Sequence, residues 1–116
     1  MAELTDQEIV AACARAMGQD LFTDSCGQVW VGATALEAYR SEKLYDPLTD
    51  RAQALELVEK LRLRVIGSGP PYSRAADPVW IVEQGGNRGE ARDTNLLRAI
   101  CLCAARVQIE KEKNRA

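Results

Sequence analysis

Two glycine-rich segments carry the side chains of this chain that are best suited to hold a ligand. Residues 67–74 have the sequence Gly-Ser-Gly-Pro-Pro-Tyr-Ser-Arg, and residues 85–89 have the sequence Gly-Gly-Asn-Arg-Gly. Backbone amides in such loops can cradle a phosphate group, and arginine can grip its oxygens with paired hydrogen bonds. Together with the residues that follow the second segment they supply the candidate binding residues: Ser68, Tyr72, Arg74, Asn87, Arg88 and Arg92.

Neither segment has the spacing of a P-loop or of a dinucleotide-binding motif, or the strand–loop–helix setting that those motifs need. Ordinary hairpin connections also account for both segments. Tyr72, next to two prolines and close to Arg74, is the best single candidate for a contact with another protein, since tyrosine and arginine are common at interfaces. Tyr39 and Tyr45 also lie in loop-like or weakly helical segments, where exposed side chains are typical.

The sequence offers few residues for catalysis. It contains no histidine, which excludes every mechanism that uses a histidine of this chain as base, proton shuttle or metal ligand. Cys101 and Cys103 are two residues apart in a predicted helix, so they point about 200° apart and cannot share a metal ion. With Cys13 they are expected to be small buried residues, whereas Cys26 lies in a polar Asp-Ser-Cys-Gly turn. We therefore predict no enzyme activity, no metal and no cofactor.

Composition is that of an ordinary soluble globule of one domain, residues 1–116. Of its residues, 47% are hydrophobic and 28% charged, and the formal net charge is -2. This balance argues against a general affinity for nucleic acid, which needs an excess of clustered lysine and arginine. No apolar run is long enough to cross a membrane and no signal peptide is evident, so we expect a cytoplasmic protein with reduced cysteines.

Three helices are predicted to position these residues. The first covers residues 6–17, where Thr5 and Glu8 form a capping box. The second covers residues 51–62, with Thr49 or Asp50 as its cap and Gln53 completing a second capping box. Its apolar stripe follows the helical period: Ala54, Leu57, Val58 and Leu61. The third covers residues 95–112.

Caps explain most of the scattered carboxylates. Asp46 and Asp50 flank the start of the second helix, and Asp93 or Thr94 is expected to cap the third. Residues 110–116 are charged and are expected to fray.

Short β-type runs lie between the helices. Residues 29–31 and 79–82 are rich in valine, and their tryptophans, Trp30 and Trp80, are expected in the core. A strand is predicted to start near residue 63, with Leu63 and Val65 on one face, and residues 90–92 are predicted to pair with residues 79–83. Residues 33–44 are compatible with a short helix or an ordered loop. The order of elements indicates an α+β fold.

Residues 45–61, Tyr-Asp-Pro-Leu-Thr-Asp-Arg-Ala-Gln-Ala-Leu-Glu-Leu-Val-Glu-Lys-Leu, and residues 93–105 resemble the phage ABA-sandwich domain, a family of small bacteriophage proteins. The resemblance covers roughly residues 29–107. It implies a layered α/β/α sandwich with a small, mainly antiparallel sheet and three main helices. It also implies a location in the cytoplasm of the phage's host.

Several functions remain open at this point. The first is a non-catalytic phage-encoded binding protein that acts on a host protein, for example a component of a defence system, as anti-CRISPR proteins do. The alternative is a homo-oligomer that sequesters a nucleotide signal through the glycine–arginine loops. An enzyme without histidine and a phage accessory module without a host target are two further hypotheses.

Overall fold

The first helix begins where the capping box predicts. In the computed structural model, which describes residues 4–32, 34–40, 44–68, 79–85 and 88–114, α1 spans Asp6–Ala16. The Thr5 hydroxyl accepts a hydrogen bond from the Glu8 backbone N–H at 3.2 Å, and the Glu8 carboxylate accepts one from the Thr5 N–H at 3.0 Å. The helix ends before Gly18, whose φ of 73° suits a residue without a side chain.

A β-hairpin and a short helix follow α1. Strands β1 (Asp20–Thr23) and β2 (Val29–Gly32) pair antiparallel, and α2 spans Ala35–Arg40. The sequence predicts β2 but not β1, and it leaves open whether residues 33–44 form a helix or a loop. Trp30 also pairs with Leu44, so the chain beyond α2 returns to the edge of this sheet.

The second predicted helix is α3, Arg51–Leu61, and Asp50 is its N-cap. The Asp50 carboxylate accepts hydrogen bonds from the backbone N–H groups of Ala52 and Gln53 at 2.9 and 3.2 Å. The predicted second capping box is wrong, because the Gln53 side chain does not reach back to Asp50. It bonds instead to the Asp46 N–H at 2.7 Å and to the Leu44 carbonyl at 3.0 Å.

A three-stranded antiparallel meander follows, with β3 (Arg64–Ser68), β4 (Val79–Gln84) and β5 (Arg88–Asp93) in that order. A bulge in the β4–β5 pairing lies between Val82 and Gln84. The predicted pairing of residues 90–92 with β4 is confirmed.

Both tryptophans lie nearer the surface than their valine-rich strands predict. Trp80 is 37% exposed, with its ring over Gly67 at the end of the meander, and the prediction that it belongs to the core is wrong. Trp30 is half-buried, so it too lies outside the core. Val65, on the edge strand β3, is also exposed, whereas Leu63 is buried.

The last helix, α4, spans Leu96–Lys113 and is capped by Asn95 rather than by either predicted residue. The Asn95 side chain accepts from the Arg98 N–H, while the Asp93 carboxylate accepts from the Asn95 N–H. Residues 110–113, for which the sequence predicts fraying, belong to α4 in the structure, and the fraying itself stays a prediction. Glu112 contributes to this order, because its carboxylate pairs with the Arg15 guanidinium of α1 at 2.7 Å.

Helices α1 and α4 run parallel and form the centre of the core. At their other ends, Arg98 of α4 contacts Asp6 of α1 at 2.6 Å. Between these two ion pairs, Ile9 and Ile100 are fully buried large side chains. The other fully buried residues there are mostly small, which lets the helices approach closely: Ala12, Cys13, Ala14, Cys101, Ala104 and Ala105. Leu57 of α3 is also fully buried. Helix α4 packs on the face of β4 and β5 that carries Val82 and Ala91.

The predicted α+β class is confirmed, and its antiparallel strands are divided between two small sheets, of two and three strands. The four helices of the described residues include the three predicted main helices and the short α2. The smaller sheet has a helix on each side: Val29 and Val31 join the core with α1, and α2 packs against the opposite face at Gly32.

Candidate functional site

The six predicted binding residues are spread along the meander. Ser68 ends β3, Arg88 begins β5 and Arg92 lies within β5. Arg92 is exposed, and its guanidinium contacts the Glu90 carboxylate at 3.1 Å. The other three lie outside the described residues: Tyr72, Arg74 and Asn87.

The two glycine-rich segments leave the meander at opposite ends. Ser68 pairs with Val79 at one end of β4, and Arg88 pairs with Gln84 at the other. Five residue steps of extended chain separate Val79 from Gln84, which corresponds to about 17 Å. The strand ends therefore do not bring the two segments to one point, and nothing in the described part of the meander favours a shared phosphate site.

The three cysteines that are predicted to be buried, Cys13, Cys101 and Cys103, are buried. Cys26, whose exposure the sequence leaves open, is exposed. A side-chain hydrogen bond with Cys101 and burial raise the pKa of Cys13, and burial raises the pKa of Cys103 to about 11. These two groups are thus neutral thiols that fill the core. Within the described residues, no group of three or more histidine, cysteine or acidic side chains is placed to hold a metal ion.

A different region brings large apolar side chains to the surface in a continuous set, which we call the aromatic surface: Phe22, Trp30, Leu36, Tyr39 and Leu44. Phe22 lies directly opposite Trp30 in the β1–β2 pairing, and Trp30 lies opposite Leu44. Directly opposed residues of antiparallel strands point to the same face of a sheet. These three side chains therefore form one row across the smaller sheet, on the face away from α1.

Helix α2 extends this row. Leu36 and Tyr39 are three residues apart and lie on the same side of the helix. The Tyr39 ring meets the Phe22 ring edge to face, with centroids 4.9 Å apart and planes at 87°. Leu36 and Tyr39 are nevertheless 59% and 64% exposed, so most of each side chain faces solvent even though the Tyr39 ring also contacts Phe22.

The close approach of α2 to the sheet depends on Gly32. A side chain at this position would place its Cβ 2.6 Å from the Ala38 backbone nitrogen. Ala38 itself is fully buried, so small residues on both elements form the contact. The glycine thus allows α2 to lie flat beside Trp30 and Phe22.

The turn between β1 and β2 fixes the position of Trp30. The Asp24 carboxylate accepts hydrogen bonds from the backbone N–H groups of Cys26 and Gln28 at 2.9 and 3.0 Å, and from the Trp30 indole N–H at 3.0 Å. The bonds from Trp30 and Gln28 hold the pKa of Asp24 below its ordinary value. Gly27 completes the turn with a φ of 84°. One carboxylate therefore closes the hairpin and orients the indole.

The other edge of the aromatic surface is tied to α3. The Tyr45 N–H donates to the Val29 carbonyl at 2.8 Å, which continues the pairing begun by Leu44. Gln53 then holds the chain on both sides of Tyr45, through its bonds to Leu44 and Asp46. Tyr45 is buried, contrary to the exposure that its loop-like sequence suggests, and its hydroxyl has no hydrogen-bond partner in the described part of the chain.

A cleft of about 260 Å³ adjoins the aromatic surface at Leu44. It lies between the start of α1, the β1–β2 turn and residues 44–49. Its two carboxylates already have partners in the protein: Asp6 pairs with Arg98, and Asp46 accepts from the Thr49 hydroxyl at 2.8 Å. The cleft is therefore better described as an extension of the neighbouring surface than as a separate ligand site.

The sequence carries a partial signal for this surface. It indicates the Asp-Ser-Cys-Gly turn, but it does not mark the four preceding residues, Asp20–Thr23, as a strand. Pairing of those residues with β2 would place Phe22 beside Trp30. The spacing of Leu36 and Tyr39 indicates a short helix with an apolar face, although only the folded chain shows that this face stays exposed.

Comparison of the chain with protein-family models, with curated proteins and with solved structures found no match. The resemblance to the phage ABA-sandwich domain therefore stays a prediction. Among the helices of the described residues, none combines the length and the apolar character that a membrane crossing requires.

Proposed function

We propose that this chain is a non-catalytic binding protein and that the aromatic surface contacts a protein partner. The exposure of Leu36 and Tyr39 beside Phe22, Trp30 and Leu44 is the observation that carries the proposal. Single exposed apolar residues are common, but a contiguous apolar patch at the surface is typical of interaction sites. Here Leu36, Tyr39 and Leu44 are exposed, and Phe22 and Trp30 beside them are half-buried. Tyrosine, tryptophan and phenylalanine are also the side chains most enriched at protein interfaces.

The scarcity of catalytic groups supports a binding role. The chain has no histidine, and three of its four cysteines are buried. In the phage setting that the sequence resemblance implies, the partner is a host protein such as a component of a defence system. That setting is part of the proposal, and it rests on residues 45–61 and 93–105.

A matched pair of surface variants tests the proposal. Leu36→Ser with Tyr39→Ser removes two exposed apolar side chains from the aromatic surface, and Leu55→Ser removes one from α3, where Leu55 is 56% exposed. Each purified protein is immobilised and exposed to lysate of candidate host cells. Circular dichroism and thermal melting establish that all three chains are folded.

We expect the unaltered chain and Leu55→Ser to retain the same protein in near-stoichiometric amount, and the double variant to lose it at least tenfold. Retention of that protein by all three chains would show that binding does not use the aromatic surface. Photo-crosslinking from position 39 supplies an independent readout, since it marks only a partner that lies on this surface.

A further inference from the structure

Charge is distributed unevenly along the chain, although its net value is only -2. Residues 20–50, which contain the whole aromatic surface, hold six acidic and two basic residues. Residues 60–98, which contain the meander, hold seven basic and four acidic residues. The two parts of the chain therefore carry charges of opposite sign, and the aromatic surface belongs to the acidic part.

The acidic side chains lie around the aromatic surface. Asp20 lies two residues before Phe22 in β1, so both point to the same face of the sheet. Asp24 accepts from the Trp30 indole at one edge. Glu37 is exposed on α2 directly after Leu36, with its Cβ close to Gly32.

Arg40, also exposed on α2, is the basic residue in the described part of residues 20–50. The acidic groups around the surface therefore outnumber it. The hydrogen bonds that lower the pKa of Asp24 favour its ionised form.

From this arrangement we propose that the partner presents a basic protein surface, with lysine or arginine side chains surrounding apolar residues. The inference rests on the proposed function and adds the chemistry of the partner. Complementary charge at the edge of an interface steers association and disfavours partners of the wrong sign, while the apolar centre supplies affinity.

The same charges disfavour two other classes of partner that bind exposed aromatic side chains. Nucleic acids stack their bases on such groups, but their phosphates would approach acidic residues instead of the required basic ones. Membrane surfaces that carry anionic lipids would meet the same repulsion. A protein surface with basic residues around apolar ones complements both the apolar centre and the acidic edge of the aromatic surface.

Designed peptides test the inference without knowledge of the natural partner. Three 15-residue peptides share the same leucine and tryptophan positions and differ elsewhere, with lysine, glutamate or serine. Each is titrated into the ¹⁵N-labelled full chain, and the shifted backbone amides locate the binding surface. Titrations at 50 and 500 mM NaCl separate the electrostatic contribution to peptide affinity from the apolar one. Salt screens the former, because the Debye length falls from roughly 14 Å to about 4 Å between these concentrations.

We expect the lysine peptide to shift amides of residues 20–24 and 29–40 and to bind at least tenfold more tightly than the glutamate peptide at 50 mM NaCl. The difference should shrink severalfold at 500 mM NaCl. Asp20→Asn with Glu37→Gln should weaken lysine-peptide binding severalfold. The matched control, Glu59→Gln with Glu110→Gln, removes two exposed charges elsewhere and should leave that binding unchanged.

The outcomes separate the two proposals. Equal binding of the three peptides at the aromatic surface would overturn the basic-partner inference and leave the proposed function standing. Shifts that map outside residues 20–46, or an equal effect of the two charge variants, would also overturn it. If no peptide binds and crosslinking from position 39 captures no protein, both proposals are wrong.

Discussion

The helical core packs mostly small side chains between α1 and α4. The hairpin lobe, by which we mean β1, β2 and α2, instead carries large apolar side chains on its outer face. Between α1 and α4 the buried residues are mostly alanine and cysteine. The hairpin lobe instead places phenylalanine, tryptophan, tyrosine and leucine at its outer face, and two of these side chains are more than half exposed. Large apolar side chains contribute the most stability when buried, about 1.5–3 kcal/mol each. Their exposure here leaves that stabilisation unused, and this is why we propose that the face contacts a partner.

The two regions are also held together differently. The core depends on close packing, supplemented by ion pairs at both ends of α1 and α4. The hairpin lobe depends on a few polar and steric features: the Asp24 turn, the Gly32 contact and the Gln53 bridge. Damage to the core should therefore abolish the fold, while damage to the lobe should act locally.

The largest effect should come from Leu57→Asp. Leu57 is fully buried, so an unpaired carboxylate would replace it in the core and the chain should fail to fold. Leu55→Asp, two residues away on the same helix but exposed, should change the free energy of unfolding by less than about 0.5 kcal/mol. Circular dichroism with thermal melting compares the two. A normal melt for Leu57→Asp would contradict the proposed register of α3.

Gly32→Ala should have a smaller and more local effect. The new Cβ would meet the Ala38 backbone at 2.6 Å, and overpacking of this kind costs about 1–3 kcal/mol. We expect faster amide exchange in α2 and loss of the Phe22–Tyr39 ring contact by NMR, with α4 still protected. Gly85→Ala is the control, since a Cβ added at Gly85 would have no neighbouring atom within 4 Å. Equal protection of α2 in both variants would refute the contact.

Gln53→Leu tests the bridge between the lobe and α3. The Asp46 N–H and the Leu44 carbonyl would each lose a partner, which should lower the free energy of unfolding by about 1–2 kcal/mol. Urea denaturation measures the change. The helix itself should persist, because its cap is Asp50. If Gln53→Leu matches the unaltered chain in stability, the bridge adds nothing.

The smallest expected effect is the loss of the stability that Asp24 contributes when the pH is lowered. The pKa of Asp24 is lower in the folded state than in the unfolded state, where it is about 3.9. The carboxylate therefore stabilises the fold above the unfolded-state pKa, and this contribution is lost as pH falls through the lower folded-state pKa. The Trp30 indole N–H signal should report this titration in NMR spectra recorded between about pH 5 and pH 2. Asp24→Asn should remove the titration. A signal that moves only at or above about pH 4 would contradict the lowered pKa.

The helices are the most predictable part of the fold, because caps and stripes are local. Thr5 and Glu8 identify the start of α1, and the spacing of Ala54 and Leu57 identifies the buried side of α3. The relative direction of α1 and α4 is not predictable in this way. Their parallel arrangement depends on two contacts between residues that are separated by 92 and by 97 positions in the sequence.

The candidate site is less predictable, because exposure is a tertiary property. A valine-rich strand makes Trp80 look like a core residue, yet its ring lies over a glycine at the end of the sheet. Tyr45 has the sequence context of an exposed residue, but its backbone pairs with Val29 and its ring is buried. β1 has only four residues and no clear alternation, so the sequence does not assign Phe22 to a face.

The Gln53 bridge has a consequence for the thermodynamics of recognition. The Gln53 side chain hydrogen-bonds to the backbone of Leu44 and Asp46, and it belongs to a helix that packs into the core. One edge of the aromatic surface is therefore ordered in the free protein. Ordering a loop during association costs entropy, and a surface that is already ordered avoids much of that cost. For the proposed contact, Gln53 would thus link the rigidity of the core to the affinity for a partner.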